Sequence, residues 1–282
     1  MSEFVITETY TIGGLKVHVY SNATPLSGSV AAVFLLHGRH GSENDVVPFS
    51  KALLEKTKGQ HRGLCVITLD HRNHGARVVE ARANNTWTEV EENPHHAMDM
   101  YAIQIGTAQD ISLVIDFLTM YLFPHGECKI DSWGVIGISL GGHSTWIALS
   151  QDPRITIGVP IIGCPDYLEL MKYRAESNNI PFIAPYVPSS LLDLIGTSDP
   201  ASRNYSSLEP SNPFLGKKIL VLSGEDDKLV PWTASKKFVD SLEVGPQGLK
   251  KVIVEKGVGH KCTAEMVEAA GDFIKAEMIN SV

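Results

Sequence analysis

Long apolar runs are missing from this sequence. Its most continuous ones, Val30 to Leu36 and Trp133 to Ile138, fall well short of the roughly 20 residues a bilayer requires, so no membrane span is expected and both read as buried strands. Runs of lysine and arginine are missing too. With 24 Lys and Arg against 32 Asp and Glu, a net charge of -8 and a pI near 5.8, the chain repels phosphate backbones and anionic lipid, and nucleic acid is not an expected partner. Cysteine is scarce. Cys65, Cys128, Cys164 and Cys262 stand apart with neither a CxxC pair nor a zinc-like spacing, which reads as reduced thiols. Met1 to Tyr10 is acidic and alternating, unlike the basic start and apolar stretch of a secretory signal, and a cytoplasmic location is therefore expected. The sequons at Asn84 and Asn204 are too short to outweigh this. There is no internal repeat and no low-complexity segment. His71, His74, His95 and His96 cluster in one stretch, but H-E-x-x-H or a comparable ligand set is lacking, so no metal is expected. A dinucleotide or phosphate loop is lacking as well, so no organic cofactor is expected.

What is present is the composition of an ordinary folded protein. Hydrophobic residues make up 43% and charged residues 20%, enough to build a sizeable core, and one domain over residues 1–282 is expected. Short β-branched runs alternate with amphipathic stretches, which predicts an α/β fold around a mostly parallel sheet. Eight strands are predicted, at Phe4 to Thr9, Leu15 to Tyr20, Val30 to Leu36, Leu64 to Leu69, Trp133 to Ile138, Ile155 to Ile161, Lys218 to Leu222 and Lys251 to Val254. The first two, joined at Gly13-Gly14, suit an antiparallel hairpin. Ile111, Val114, Ile115 and Leu118 share one helical face, as do Met266, Ala270, Phe273 and Ile274. Two stretches break the rhythm. His71 to Tyr101 is polar, Asn- and His-rich and long for a connection, and is expected to rim a site. Pro165 to Pro213, with its prolines and the apolar cluster Phe182, Ile183, Tyr186, Val187, Leu191 and Leu192, predicts a small helical lid at about 165–213.

The strongest local signal is Gly137-Ile138-Ser139-Leu140-Gly141-Gly142. It matches G-x-S-x-G, follows a predicted strand and opens a helical segment near Gly142, the context of a nucleophile elbow. A serine on such a sharp turn exposes its hydroxyl, small neighbours let the backbones pass, and the helix that follows aims its positive end at the same point. Leu140 N–H is the first oxyanion donor to name. A serine needs a base oriented by a carboxylate. His260, in Gly257-Val258-Gly259-His260 after the last predicted strand, is the one histidine downstream of the candidate acids. Those acids are Glu225, Asp226 and Asp227 after the strand at 218–222; Asp227 fits the G-x-x-D-x-x-V-P spacing best, and Asp226 is the second choice. Val30 to Leu36 leads into His37-Gly38-Arg39-His40-Gly41, where a second oxyanion donor is expected from Arg39 N–H, with His40 N–H in reserve. His37 is expected to brace this loop, and the Arg39 and His40 side chains to point into water, with contact to an acidic substrate as the alternative. Cys262 reads as an inert thiol.

Taken together, His37-Gly38, Asp70 with His74-Gly75, the segment 137–142, Gly163-Cys164-Pro165-Asp166-Tyr167-Leu168-Glu169-Leu170 and the run Gly224 to Pro231 resemble the small bacterial carboxylesterases related to the prolyl oligopeptidase branch of α/β-hydrolases. The resemblance covers most of the chain and implies the α/β-hydrolase fold, with Ser139 as nucleophile, Asp227 as acid, His260 as base and oxyanion donors at Arg39 and Leu140. The charged Arg39-His40 pair and the extended Asn/His-rich insertion depart from that pattern. The expected function is hydrolysis of small to medium, fairly apolar carboxylic esters through an acyl-enzyme, with a small-molecule ester as partner. Trp87, Phe182 and Tyr186 are the expected substrate-binding residues. An amidase or peptidase, a lactonase or a thioesterase would use the same triad, and a ligand-binding protein that had lost catalysis would keep the same fold.

Overall fold

In the computed structural model, which describes residues 5–22, 26, 28–60 and 62–280, strands and helices alternate along the chain. They are β1 (Val5–Ile12), β2 (Leu15–Asn22), β3 (Gly28–Leu36), α1 (Val47–Lys56), β4 (Gly63–Leu69), α2 (His96–Leu122), β5 (Cys128–Ile138), α3 (Leu140–Gln151), β6 (Ile155–Ile161), α4 (Tyr167–Ser177), α5 (Ser189–Ser198), β7 (Lys218–Gly224), α6 (Trp232–Ser241), β8 (Leu249–Glu255) and α7 (Ala264–Ile274). Phe4, expected in the first strand, lies outside the described residues. The eight strands form one sheet in the order β1-β2-β4-β3-β5-β6-β7-β8. β1 and β2 pair antiparallel, as do β2 and β4, and every pairing from β4 through β3 to β8 is parallel. No helix among the described residues is long and apolar enough to cross a membrane.

The uninterrupted apolar runs have a simple cause. Successive strand residues face opposite sides, and helices cover both sides of this sheet. In β3, Val30, Ala32, Phe34 and Leu36 pack into the core that holds α2 and α3, while Ala31, Val33 and Leu35 pack into the core that holds α1 and α7. The helical faces read from the sequence bury as expected: Ile111, Val114, Ile115 and Leu118 on α2, and Met266, Ala270, Phe273 and Ile274 on α7.

Among the boundaries that differ from expectation are the starts of β5, α3 and α2. β5 starts at Cys128, five positions ahead of Trp133, because Cys128 to Ile130 still pairs with β3 while its alternate residues reach solvent, which hides this end from an apolar-run reading. α3 starts at Leu140, directly after Ser139 and two positions ahead of Gly142. α2 starts at His96, inside the stretch expected to be irregular through Tyr101. There Asn93 Oδ1 accepts from His95 N–H at 2.9 Å, and the Met98 and Asp99 amides close the first turn on His95 O. The rest of that insertion is held by asparagines that replace missing ladder bonds. Asn73 Oδ1 accepts from the Val79 and Glu80 amides, Asn84 Nδ2 donates to Asn73 O, and Asn93 Nδ2 donates to Ala83 O. Asn84 is thereby buried, which removes its sequon from the surface.

The topology places a crevice. From β3 the chain steps outward to β4, then crosses back so that β5 lies on the other side of β3. The loops leaving the carboxyl ends of β3 and β5 therefore diverge, which is where open α/β sheets bind ligands.

Candidate active site

Ser139 sits at that divergence, between β5 and α3. Its backbone has φ 55° and ψ -108°, a region that costs an L-residue about 1–3 kcal/mol and persists only where the surroundings impose it. Here they do. Ser139 N–H donates to Ile161 O at 2.8 Å, His143 N–H donates to Ser139 O at 3.0 Å, and Gly141 N–H donates to His37 O at 3.2 Å. The glycines around it are steric requirements. A Cβ on Gly137 would lie 2.1 Å from Gly141 O, and one on Gly141 would lie 2.6 Å from Leu36 Cβ.

Three of the sequence-chosen residues meet in one line. Ser139 Oγ lies 2.8 Å from His260 Nε2, and His260 Nδ1 lies 2.7 Å from Asp227 Oδ2. A carboxylate only accepts, so Nδ1 carries the proton and Nε2 is left to accept from the Ser139 hydroxyl. Asp227 is fixed from its other side: Oδ1 accepts from Leu229 N–H and Val230 N–H, both at 2.9 Å. Of the three acids in this loop Asp227 alone is buried, while Glu225 and Asp226 are exposed. Such a chain can draw the proton from Ser139 and hold the imidazolium that results.

The loop after β3 passes against the elbow, with the Cβ position of Gly38 3.8 Å from Ser139 Cβ. Gly41 N–H closes a turn on Gly38 O at 3.2 Å, with His40 at φ 63°. Arg39 N–H, His40 N–H and Leu140 N–H have no acceptor among the described residues, and Leu140 N–H is one of the unpaired donors at the start of α3. His37 braces the loop from inside. Its Nδ1–H donates to Gly38 O at 2.7 Å and its Nε2 accepts from His71 N–H at 3.1 Å, while His71 Nε2–H returns a bond to His37 O at 2.9 Å. Asp70 fastens the same region by accepting from Glu43 N–H and Ala76 N–H, both at 2.8 Å. The Arg39 side chain does not point into water. It folds along the insertion, Nη1 donating to Asn84 O at 2.8 Å and Nη2 pairing with Glu89 Oε1 at 3.2 Å, because Glu89 and an unpaired carbonyl lie within its reach.

Next to these loops opens a cleft of about 540 Å3. Its walls come from Arg39, from Lys228 and Leu229 beside Asp227, from Thr86 to Glu89 of the insertion, from His96, and from Tyr173, Arg174, Ser177 and Asn178 of α4. Trp87 lines it, edge-on to His96 with ring centroids 5.3 Å apart. Phe182 and Tyr186 do not line it. Both are half-buried against the core, and Tyr186 reaches the cleft only through Trp87, 6.4 Å away. Ile183 and Leu192 of the expected apolar cluster face outward, whereas Val187 and Leu191 are buried. Sequence reasoning missed Arg174 and the cleft role of His96. In Lys172-Tyr173-Arg174 an arginine reads as a solvated helix charge, and no linear signal brings it beside Asp227.

Several buried histidines carry a consequence for stability. Burial, helped by the nearby arginines, pushes His96 and His143 down to about 3, and burial pushes His74 down to about 4. In the unfolded chain all three titrate near 6.5, so below that pH the unfolded state binds more protons. Their contribution is complete above about pH 6.5 and declines on acidification by about 1.4 kcal/mol per histidine per pH unit, toward the folded values. Denaturant melts at pH 7.5, 6.0 and 5.0 are expected to show a steep loss of stability, and a profile flat to pH 5 would contradict the neutral buried rings.

An eight-stranded, mostly parallel sheet whose strand–serine–helix elbow stands at its topological switch point defines an α/β-hydrolase fold, and this chain is an α/β-hydrolase-fold protein. No family model matches it. It is 24% identical over 241 residues, 84% of each chain, to "Putative esterase YitV" of Bacillus subtilis (strain 168). Its fold is shared with TT1662 from Thermus thermophilus, at a TM-score of 0.70 and 19% identity over 99% of this chain and 100% of the other. It is also shared with the Pyrococcus furiosus esterase Pf2001, at 0.58 and 19% identity over 97% and 93% of the two chains. Acetyl xylan esterase 1 from Thermoanaerobacterium sp. JW/SL YS485 matches at 0.61 and 14% identity, over 100% of this chain and 89% of that one.

Proposed function

We propose that this chain is a serine carboxylesterase that hydrolyses small to medium, fairly apolar esters through an acyl-enzyme on Ser139. The observation that carries the reading is the unbroken Ser139–His260–Asp227 hydrogen-bond line at a strained elbow. In this mechanism His260 Nε2 takes the Ser139 proton as Oγ attacks the ester carbonyl. The tetrahedral oxyanion is held by Leu140 N–H and Arg39 N–H, and the imidazolium, steadied by Asp227, returns the proton to the departing alcohol. Water, deprotonated by the same imidazole, then releases the acid. The helices between β6 and β7 act as a small lid, and Trp87 offers the apolar face of the adjoining cleft. Similarity to the Bacillus subtilis chain that bears an esterase name supports an ester substrate. Hydrolysis of p-nitrophenyl esters from acetate to dodecanoate at pH 7.5 tests this. Turnover is expected to peak at short to medium acyl chains, and activity no greater than the blank across the series would refute an esterase of simple esters.

A further inference from the structure

The cleft carries more positive charge than ester hydrolysis needs. Arg39, Arg174 and Lys228 line it against one lining carboxylate, Glu89, in a chain whose net charge is -8. Glu89 is committed to Arg39, and Lys228 is exposed to water. Arg174 is different. It is half-buried on α4, and among the described residues no carboxylate oxygen lies within 4.0 Å of its guanidinium.

Its partners are neutral. Nε and Nη2 both donate to Leu229 O at 3.2 Å, and Nη1 donates to His96 Nε2 at 3.3 Å. His96 brings no negative charge, because its Nδ1–H donates to Asn85 O at 2.9 Å and the ring is uncharged. Asp227 attracts Arg174 from farther off, but both its oxygens are taken by His260 and two amides. A guanidinium has five N–H groups. Three of them are engaged here, which leaves one on each terminal nitrogen. Two parallel N–H groups on Nη1 and Nη2 are what a carboxylate accepts in a bidentate pair, and a partly desolvated cation gains most from such a counter-ion.

We propose that Arg174 is the specificity residue of this cleft and seats a carboxylate borne by the ester substrate, either on its acyl part or on its alcohol part. The assignment rests on Ser139 being the ester nucleophile and narrows the substrate class to half-esters of dicarboxylic acids or esters of carboxylated alcohols. The apolar stretch between the ester and the carboxylate would lie along Trp87 and Leu229.

The test compares kcat/KM by titration of released acid for two matched pairs. Ethyl hydrogen adipate against ethyl hexanoate places the charge on the acyl side, and 4-carboxyphenyl butanoate against phenyl butanoate places it on the alcohol side. For one pair the wild type is expected to prefer the carboxylated ester, and in Arg174→Gln that ratio is expected to fall by about thirtyfold, mainly through KM. Arg174→Lys, which keeps the charge without the fork, should restore part of it. Should Arg174→Gln not fold, free adipate is expected to inhibit the wild type at about tenfold lower concentration than adipamide, its neutral diamide. Wild-type indifference to the carboxylate in both pairs, a preference that survives Arg174→Gln, or equal inhibition by adipate and adipamide overturns the proposal and leaves the esterase reading standing. No turnover of any of the four esters would instead remove the esterase reading, and this proposal with it.

Discussion

Replacing Ser139 by alanine is expected to lower kcat for p-nitrophenyl butanoate by about 10⁵- to 10⁶-fold, with KM little changed. Alanine keeps the Cβ and meets the same backbone conformation, φ 55° and ψ -108°, so the elbow, the unpaired amides of Arg39 and Leu140, and the Asp227–His260 bond are all retained. Only the Oγ that lies 2.8 Å from His260 Nε2 is lost. The residual rate over water would report what binding and the oxyanion donors supply by themselves. Active-site titration with a slowly deacylating ester gives the companion measurement: a burst of one equivalent in the wild type and none in Ser139→Ala. A variant that kept about a tenth of the activity would mean that another group performs the attack.

The second large effect is expected from Asp227→Asn, with kcat lower by about 10⁴-fold and little change in thermal stability. Both carboxylate oxygens are engaged, Oδ1 by the Leu229 and Val230 amides at 2.9 Å and Oδ2 by His260 Nδ1–H at 2.7 Å. An asparagine has one oxygen. Turning its NH2 toward the two amides would set donors against donors, so the oxygen stays there and the NH2 faces His260. The imidazole must then accept at Nδ1 and carry its proton on Nε2, where it can no longer take one from Ser139. Measured alongside, Asp226→Asn is expected to stay within about twofold of wild type, because Asp226 is exposed. A loss in Asp226→Asn that matched Asp227→Asn would move the acid to the neighbouring position.

The two sides of this protein were unequally visible before folding. Strands buried on both faces, such as β3 and β6, announce themselves as apolar runs, because each neighbouring pair of residues must enter a core. The half-exposed start of β5 and the first turn of α2 stay hidden, since each depends on a partner: pairing with β3 in one case, the Asn93 side chain in the other. The turn at Ser139 was legible because an elbow needs small residues at fixed positions around it, and the candidates Asp227 and His260 because both stand in loops that follow successive strands. Those requirements are local, so amino-acid order alone determines them. The cleft is not local. Arg174 and His96 stand 78 positions apart, and only the packing of α4 beside the loop that carries Asp227 turns a surface-like arginine into a half-buried cation with no carboxylate beside it among the described residues. Likewise Arg39, read from the sequence as a solvated charge, is drawn back onto Glu89 and Asn84 O because the insertion folds over it. The sequence thus determined the sheet, the elbow and the order of the candidate site residues, whereas the charge and shape of the adjoining cleft were decided by contacts between segments far apart in the chain, where side-chain type says nothing until the neighbour is known.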